Sequence, residues 1–257
     1  MRQKISVVIL TRNEENNIGD CLDSVKWADE IVIVDDNSTD GTTRIAGKSG
    51  AKIVFHPLNS DFAGQRNVGI DHSSGDWILQ MDADERVTED LRSRIVDISE
   101  NGTDCSAFDF RRVNIFCGRP LMFGGENSHR PLRFFKKGAG RFHGTGVNET
   151  LEVKGKIGHI DAVMEHYNFP SISHYLLTQD LYSGIEAADM TGRQERLSKK
   201  MLKSELTTGP IKLFFKIYVK KHGHKDGFRG LIFAALSAWR RFLIYAKYWE
   251  MNREYYE

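Results

Sequence analysis

Asp82-Ala83-Asp84 follows an apolar run, Trp77–Met81, and is the sharpest chemical feature of the chain. In an extended segment, side chains two apart face the same way, so both carboxylates are expected to address one point. Two like charges there are costly unless a cation sits between them. A divalent ion, magnesium or manganese, held by one or two carboxylates plus substrate phosphates is the usual arrangement. A plainer use competes: Thr88, Glu89 and Asp90 are good first-turn residues for a helix that follows. Asp35-Asp36 ends a second apolar run, Ile31–Val34. Adjacent carboxylates point apart, so one can bond a ribose or base edge while its neighbour orders the turn, or the pair can simply form an Asx turn. Arg66, in Gln65-Arg66-Asn67, can offset phosphate charge beside a helix N-terminus or lie solvated on the surface.

Regular elements must bring these residues together. Ile5–Leu10, Ile31–Val34, Ala51–Phe55 and Trp77–Met81 read as strands, nearly all apolar, as expected when both faces of a sheet are covered. Between them lie helix patterns, one with Ile18, Leu22 and Val25 on a single face and Trp27 as its extension, one capped by Ser38 or Thr39 and ending near Gly50, and one at about Ala63–His72. This βαβα order predicts an α/β fold with a mainly parallel sheet and helices on both faces. Ligands bind such sheets at the carboxyl ends of the strands, which is where Thr11–Glu14, Asp35-Asp36 and Asp82–Asp84 fall.

Residues 101–170 become short β-rich pieces punctuated by glycine, with strands expected at Phe108–Asn114, Leu132–Phe135 and Val163–Tyr167. Residues 171–257 read as helical, with breaks at Thr207–Pro210 and Gly223–Gly227. The domain reading is therefore 1–100 and 101–170 as the two halves of one domain, and 171–257 as a basic, aromatic-rich helical tail.

The 257 residues are 40% hydrophobic, enough to bury a core, which excludes intrinsic disorder. Cys21, Cys105 and Cys117, odd in number and widely spaced, make neither a disulfide framework nor a metal knuckle, so a reducing compartment is expected. Met1–Lys4 runs straight into a strand, with no secretory leader pattern. The uncharged stretch Gly230–Trp239 is far below the ~18–20 residues of a spanning helix. A near-neutral total hides an asymmetry: residues 193–257 hold 15 Lys+Arg against 6 Asp+Glu, the first 192 hold 21 against 29. The turn Thr11–Asn17 contains no glycine, which excludes a Rossmann oxidoreductase, a P-loop NTPase and the glycine-rich loop of a sugar nucleotidyltransferase.

Four stretches carry a resemblance to a known family: Ile5–Thr11 with Arg12-Asn13-Glu14-Glu15, Ile31–Thr42, Gln65–Asn67 and Gly75–Glu85. Together they resemble the family 2 inverting glycosyltransferases of GT-A fold. Arg133–Lys137, Val147-Asn148-Glu149, Glu165-His166-Tyr167 and Ala246–Glu250 continue the likeness more weakly, toward the bacterial lipopolysaccharide-core β-glucosyltransferases that act on inner-core heptose. The resemblance implies that Thr11 and Asp36 contact the nucleotide base, with Glu14 and Asp35 near the ribose. It implies that Asp82 and Asp84 hold ribose and metal-bound diphosphate, Asp84 more directly. Where relatives carry His before the acid, this chain has Asn148, while Glu149 is kept.

An inverting transfer is a single displacement that needs a metal at the leaving diphosphate and a carboxylate to take the acceptor proton. Glu149 is the first choice for that base, with Asp161, Glu165 and Glu126 as rivals and a plain surface glutamate as the alternative. His166 would complete the metal site, or serve as a hydrogen-bonded strand residue; His129 and His143 are weaker candidates. Arg133 would meet acceptor or diphosphate, or simply lie solvated. The implied reaction moves glucose from UDP-glucose to a lipopolysaccharide-core acceptor, with a polyprenyl phosphate, a peptide side chain or a non-catalytic membrane-associated module as alternatives.

In the tail, Lys212, Lys216, Lys220, Arg229, Arg240 and Lys247 alternate with Phe214, Phe215, Tyr218, Trp239 and Trp249. Such helices suit an anionic membrane surface, and equally suit ordinary docking onto a core. No nucleic-acid motif accompanies them. The expected location is cytoplasmic, peripheral at an inner membrane.

Overall fold

In a computed structural model of the chain, residues 2–59, 61–125, 129–144, 149–192 and 196–257 are described. Strand β1 (Ile5–Thr11) is buried at every position. It pairs in parallel with β2 (Glu30–Asp35) on one side and β4 (Trp77–Asp82) on the other, while β3 (Lys52–Phe55) lies parallel outside β2. The register sets Thr11 against Asp35 and Leu10 against Asp82. Three polar strand ends thus share one edge of the sheet.

Alternate β1 side chains serve two cores, and this double burial explains its unbroken apolar sequence. On one face, Val7, Ile9, Ile33, Leu79 and Met81 meet α1 (Ile18–Val25), α2 (Thr42–Lys48) and α4 (Glu89–Asn101) through Cys21, Leu22, Ala46, Leu91 and Ile95. On the other, Val8, Leu10, Val34 and Ile78 meet α3 (Phe62–His72) and Phe142. Gly69 lets α3 approach the sheet: a Cβ there would lie 2.2 Å from Val8 Cγ1.

The parallel half is then extended. β8 (Leu132–Lys136) runs antiparallel to β4, and β6 (Ala107–Phe116) antiparallel to β8. Beyond β6 come β11 (Ile157–Phe169) and β5 (Glu85–Val87), the last two antiparallel with His166 opposite Glu85. A hairpin of β9 (Gly140–His143) and β10 (Thr150–Val153) stands apart. The expected α/β class, with helices on both sheet faces and helices at the C-terminus, is what the chain forms.

The chain divides into two compact units, 1–112 with 129–166, and 113–128 with 167–257. In the second, β7 (Arg119–Pro120) pairs with the end of β6, and Phe116, Phe169, Tyr175 and Phe233 form an aromatic cluster. Its helices are α5 (Ile172–Gly192), α6 (Lys199–Leu206), α7 (Thr208–Phe215), a π turn (Lys216–Lys220), a 3-10 turn (Gly223–Asp226), α8 (Gly227–Met251) and α9 (Arg253–Tyr256). Ion pairs Lys247–Asp180 and Arg240–Glu186 show α5 and α8 to be antiparallel.

Two local expectations are corrected. α1 stops at Val25, and Trp27 lies beyond it with its indole N–H donating to the Ser24 carbonyl. Ser38 and Thr39 do not cap α2, which starts after Gly41; both are drawn instead into the loop at the sheet edge, and Asp40 Oδ1 accepts from the Thr42 N–H.

Candidate active site

The Asp35 carboxylate is fully buried, and it is the organiser of the second strand's exit. Its Oδ2 accepts from Thr11 Oγ at 2.7 Å and Ser38 Oγ at 2.6 Å, and its Oδ1 from the Ser38 N–H at 2.8 Å. Of the adjacent pair, Asp35 therefore orders the turn. Asp36 points elsewhere, to Arg12 Nη1 at 2.8 Å and the Leu58 N–H at 2.9 Å. Asn13 and Asn37 adopt positive φ, 54° and 52°, a conformation asparagine tolerates better than most residues. These two bends let the β1 and β2 exits interlock, with Thr39 donating to Asn13 Oδ1 and Asn13 N–H donating to Ser38.

Asp82 and Asp84 take different direct partners. β4 ends at Asp82, and residues 83–84 form a turn, so the alternation of an extended strand no longer applies. Asp82 Oδ1 meets Arg66 Nη1 at 3.0 Å and its Oδ2 meets Arg133 Nη2 at 3.1 Å. Asp84 Oδ2 meets His166 Nε2 at 3.1 Å, because the β11–β5 register brings His166 to the start of β5. Arg66 continues to Glu149, whose Oε1 accepts from its Nε at 3.1 Å and its Nη2 at 3.0 Å. Asp82, Arg66, Arg133 and Glu149 form one charged chain, with Asp84 and His166 beside it.

Arg66 is 3% exposed and Arg133 is 8% exposed, so surface solvation is excluded for both. Burial alone would push the Asp82 carboxyl up, but Arg66 and Arg133 outweigh it and hold it well below the usual range. Glu14 is pushed up, first by burial, against a stabilising bond from Asn17, and further by the nearby carboxylates of Asp84 and Asp82. Burial lowers His166, while Asp84 more than compensates and raises it. Glu14, Asp82 and Asp84 thus lie within electrostatic reach of one another. Two buried donors of the site, Arg133 Nη1 and Arg66 Nη1, have no hydrogen-bond partner among the described residues, though Arg66 Nη1 keeps its ion-pair contact with Asp82.

Among the described residues no group of three or more His, Cys, Asp and Glu side chains could hold a metal alone. Asp84 and His166 supply one carboxylate and one imidazole. That donor set fits a cation that takes its remaining ligands from phosphate oxygens and water, rather than a closed protein cage.

Glu85 and Arg86 were not singled out from the sequence. Glu85 is fully buried, accepts the Asp82 N–H at 2.9 Å and pairs with Arg112 at 3.2 Å. Arg86 donates to the carbonyls of Ala83, Glu85 and Asn17, fixing the turn that carries Asp84. Their signal was simply two further charges directly behind an acidic pair. Thr88 does cap α4, accepting from the Leu91 N–H. Among the other candidates, Asp161 pairs with Arg111 on the surface, His143 lies near Glu152, and burial lowers His129. Glu126, Val147 and Asn148 lie outside the described residues.

A family model described as glycosyl transferase family 2 matches residues 6–150. An uncharacterized glycosyltransferase of Rickettsia felis is 31% identical over 260 residues, covering 95% of this chain and 89% of that one. The lipopolysaccharide core biosynthesis glycosyltransferase LpsC of Rhizobium meliloti is 26% identical over 257 residues, covering 96% and 93%. Among solved structures, glucosyl-3-phosphoglycerate synthase from Mycobacterium tuberculosis, in complex with Mn2+, UDP and glucosyl-3-phosphoglycerate, aligns at 25% identity over 43% of this chain and 44% of that one, with a TM-score of 0.38.

Proposed function

The chain belongs to glycosyl transferase family 2, and on that premise we propose that it moves glucose from UDP-glucose, with inversion, to a heptose hydroxyl of a lipopolysaccharide inner core. The likeness to LpsC along nearly the whole chain supports the acceptor class. The observation that carries the donor reading is the charged chain at the sheet edge: a buried, unpartnered Arg133 Nη1 beside carboxylates that repel one another. An anionic diphosphate accompanied by a cation satisfies both at once.

In this reading Thr11, Asp35 and Asp36 shape the base and ribose end, Asp35 through the turn it holds. Glu14 lies toward the ribose. Asp84 and His166 hold a magnesium or manganese ion, whose chemistry when bound is to neutralise charge on the departing diphosphate. Arg66 and Arg133 bind phosphate oxygens and orient the donor. Glu149 Oε2 accepts no hydrogen bond among the described residues, so it can take the acceptor's proton as the hydroxyl oxygen bonds to the anomeric carbon and the diphosphate leaves. Such a base contributes roughly 10²–10⁴-fold. Residues 1–100 then serve the donor, 101–170 the acceptor while lending Arg133 and His166 to the donor side, and 171–257 a membrane-held saccharide at the cytoplasmic face of an inner membrane. The proposed association is peripheral; among the described residues no helix is long and apolar enough to cross a membrane.

Calorimetry with UDP, GDP and CMP, each with manganese and with chelator, tests this on the native chain and on Asp84→Ala. The expected result is metal-dependent binding of UDP alone, lost in the variant. UDP binding indifferent to both metal and Asp84 would overturn the site assignment.

A further inference from the structure

Helix α8 is apolar on two opposite sides. Phe233, Ala234, Ile244 and Tyr248 face its own unit. Phe228, Ile232, Ala235, Trp239, Phe242 and Trp249 recur at intervals of four and three and then seven, and all six are exposed, Phe228 at 84%. A helix with a second, exposed apolar stripe requires a second apolar environment. α7 and the π turn repeat the pattern, with Ile211, Phe215 and Val219 exposed at intervals of four. One residue further on, Lys212, Lys216 and Lys220 form a parallel exposed ridge, and their side chains have no ion-pair partner among the described residues. The two apolar ridges meet at a groove of about 380 Å³ bounded by Ile211, Phe214, Trp239 and Phe242.

Charge decides what covers this face. α5 also turns Leu177, Leu181 and Ile185 outward, but Asp180 and Glu186 interleave with them and are held by Lys247 and Arg240. That ridge offers an anionic surface nothing. A second copy of the chain, seated by two-fold symmetry on the α7–α8 face, would bring one row of unpaired lysines toward its twin. An anionic lipid surface answers both the lysines and the apolar ridges, with apolar groups entering the acyl boundary and ammonium groups meeting phosphates.

We propose that α7, the π turn and α8 seat this unit on an anionic bilayer, with Ile211, Phe215, Val219, Phe228 and Trp239 inserted and Lys212, Lys216 and Lys220 on the headgroups. The inference rests on the reading of a membrane-held acceptor and gives it a surface. The test is sedimentation of the full chain with phosphatidylcholine vesicles, with and without phosphatidylglycerol. Binding is expected only with phosphatidylglycerol, reduced by salt. The triple variant Lys212→Gln, Lys216→Gln, Lys220→Gln should weaken it on the order of a hundredfold, about fivefold per lysine. Phe215→Ser with Ile211→Ser should abolish it, whereas Leu177→Ser with Leu181→Ser should leave it unchanged. Equal binding to phosphatidylcholine alone, no binding at all, or a dimer that Phe215→Ser dissolves would each overturn the proposal. UDP–manganese calorimetry on the same variants separates the two readings: vesicle binding lost with UDP binding kept leaves the transferase assignment standing, and the converse leaves the docking surface.

Discussion

Arg66→Gln tests the electrostatic core of the site. In the native chain its guanidinium lies 3.0 Å from Asp82 and 3.0 Å from Glu149 and packs 5.5 Å from the Phe142 ring centroid. At an effective dielectric near 20, each ion pair has a gross attraction of about 4 kcal/mol, most of it offset by the cost of desolvating the guanidinium. The net worth of the pairs is therefore small, but removal of the cation is not. It leaves Asp82 with Arg133 and the charge of His166, and Glu149 with no direct ion-pair partner among the described residues, and breaking a buried pair from one side costs about 3–5 kcal/mol. In a chain of this size that lowers the melting temperature by roughly 6–20 °C. Thermal and urea unfolding, followed by fluorescence, measure it. Adding Asp82→Asn to Arg66→Gln should recover part of the loss, with a coupling of about 1–3 kcal/mol. A variant melting within about 2 °C of the native chain, or strict additivity with Asp82→Asn, would refute the argument. Arg66 would then be a solvated surface arginine after all.

Two further outcomes follow from the same geometry. Glu149→Gln should cut turnover by roughly 10²–10⁴ while leaving UDP–manganese binding within about twofold, a split that rapid-quench kinetics and calorimetry report. Glu30, which would be raised by burial, is instead lowered by bonds from the Ser6 hydroxyl and Ser74; Glu30→Gln should cost about 1 kcal/mol at pH 7, and because the folded carboxyl titrates below its unfolded value near 4.3, the gap should close as pH falls below about 4.

Much of the fold could be read from residue order because strong local signals agreed with burial. Ile5–Leu10 and Ile31–Val34 are apolar at consecutive positions, which only a strand covered on both faces requires, and parallel register then aligned Thr11, Asp35 and Asp82 without further information. The reading weakened wherever a strand stopped. Asp82 and Asp84 share a face only while the backbone stays extended, and the turn at 83–84 sends them to different partners. Ser38 and Thr39 were equally good as helix caps and as loop donors. The buried Asp35 carboxylate, invisible to local propensity, took Ser38.

Long-range charge pairing was the least legible part, and for a physical reason. Arg66 and Glu149 are separated by 83 positions, and nothing in either neighbourhood encodes the other. What brings them together is packing: Asn67, next to Arg66 on α3, exchanges two hydrogen bonds with the backbone of Phe142 on β9, at 2.9 and 3.0 Å. That clamp holds the hairpin strand against the helix, close to the segment from which Glu149 emerges. Gln65-Arg66-Asn67 is therefore a unit with divided labour, in which Gln65 ties α3 to the His56 carbonyl, Asn67 ties it to β9, and Arg66 carries the charge. The amides set the position, and only then can a buried guanidinium find two carboxylates within 3.1 Å. Asn67 thus fixes β9 against α3, one residue along the helix from the arginine that meets Glu149.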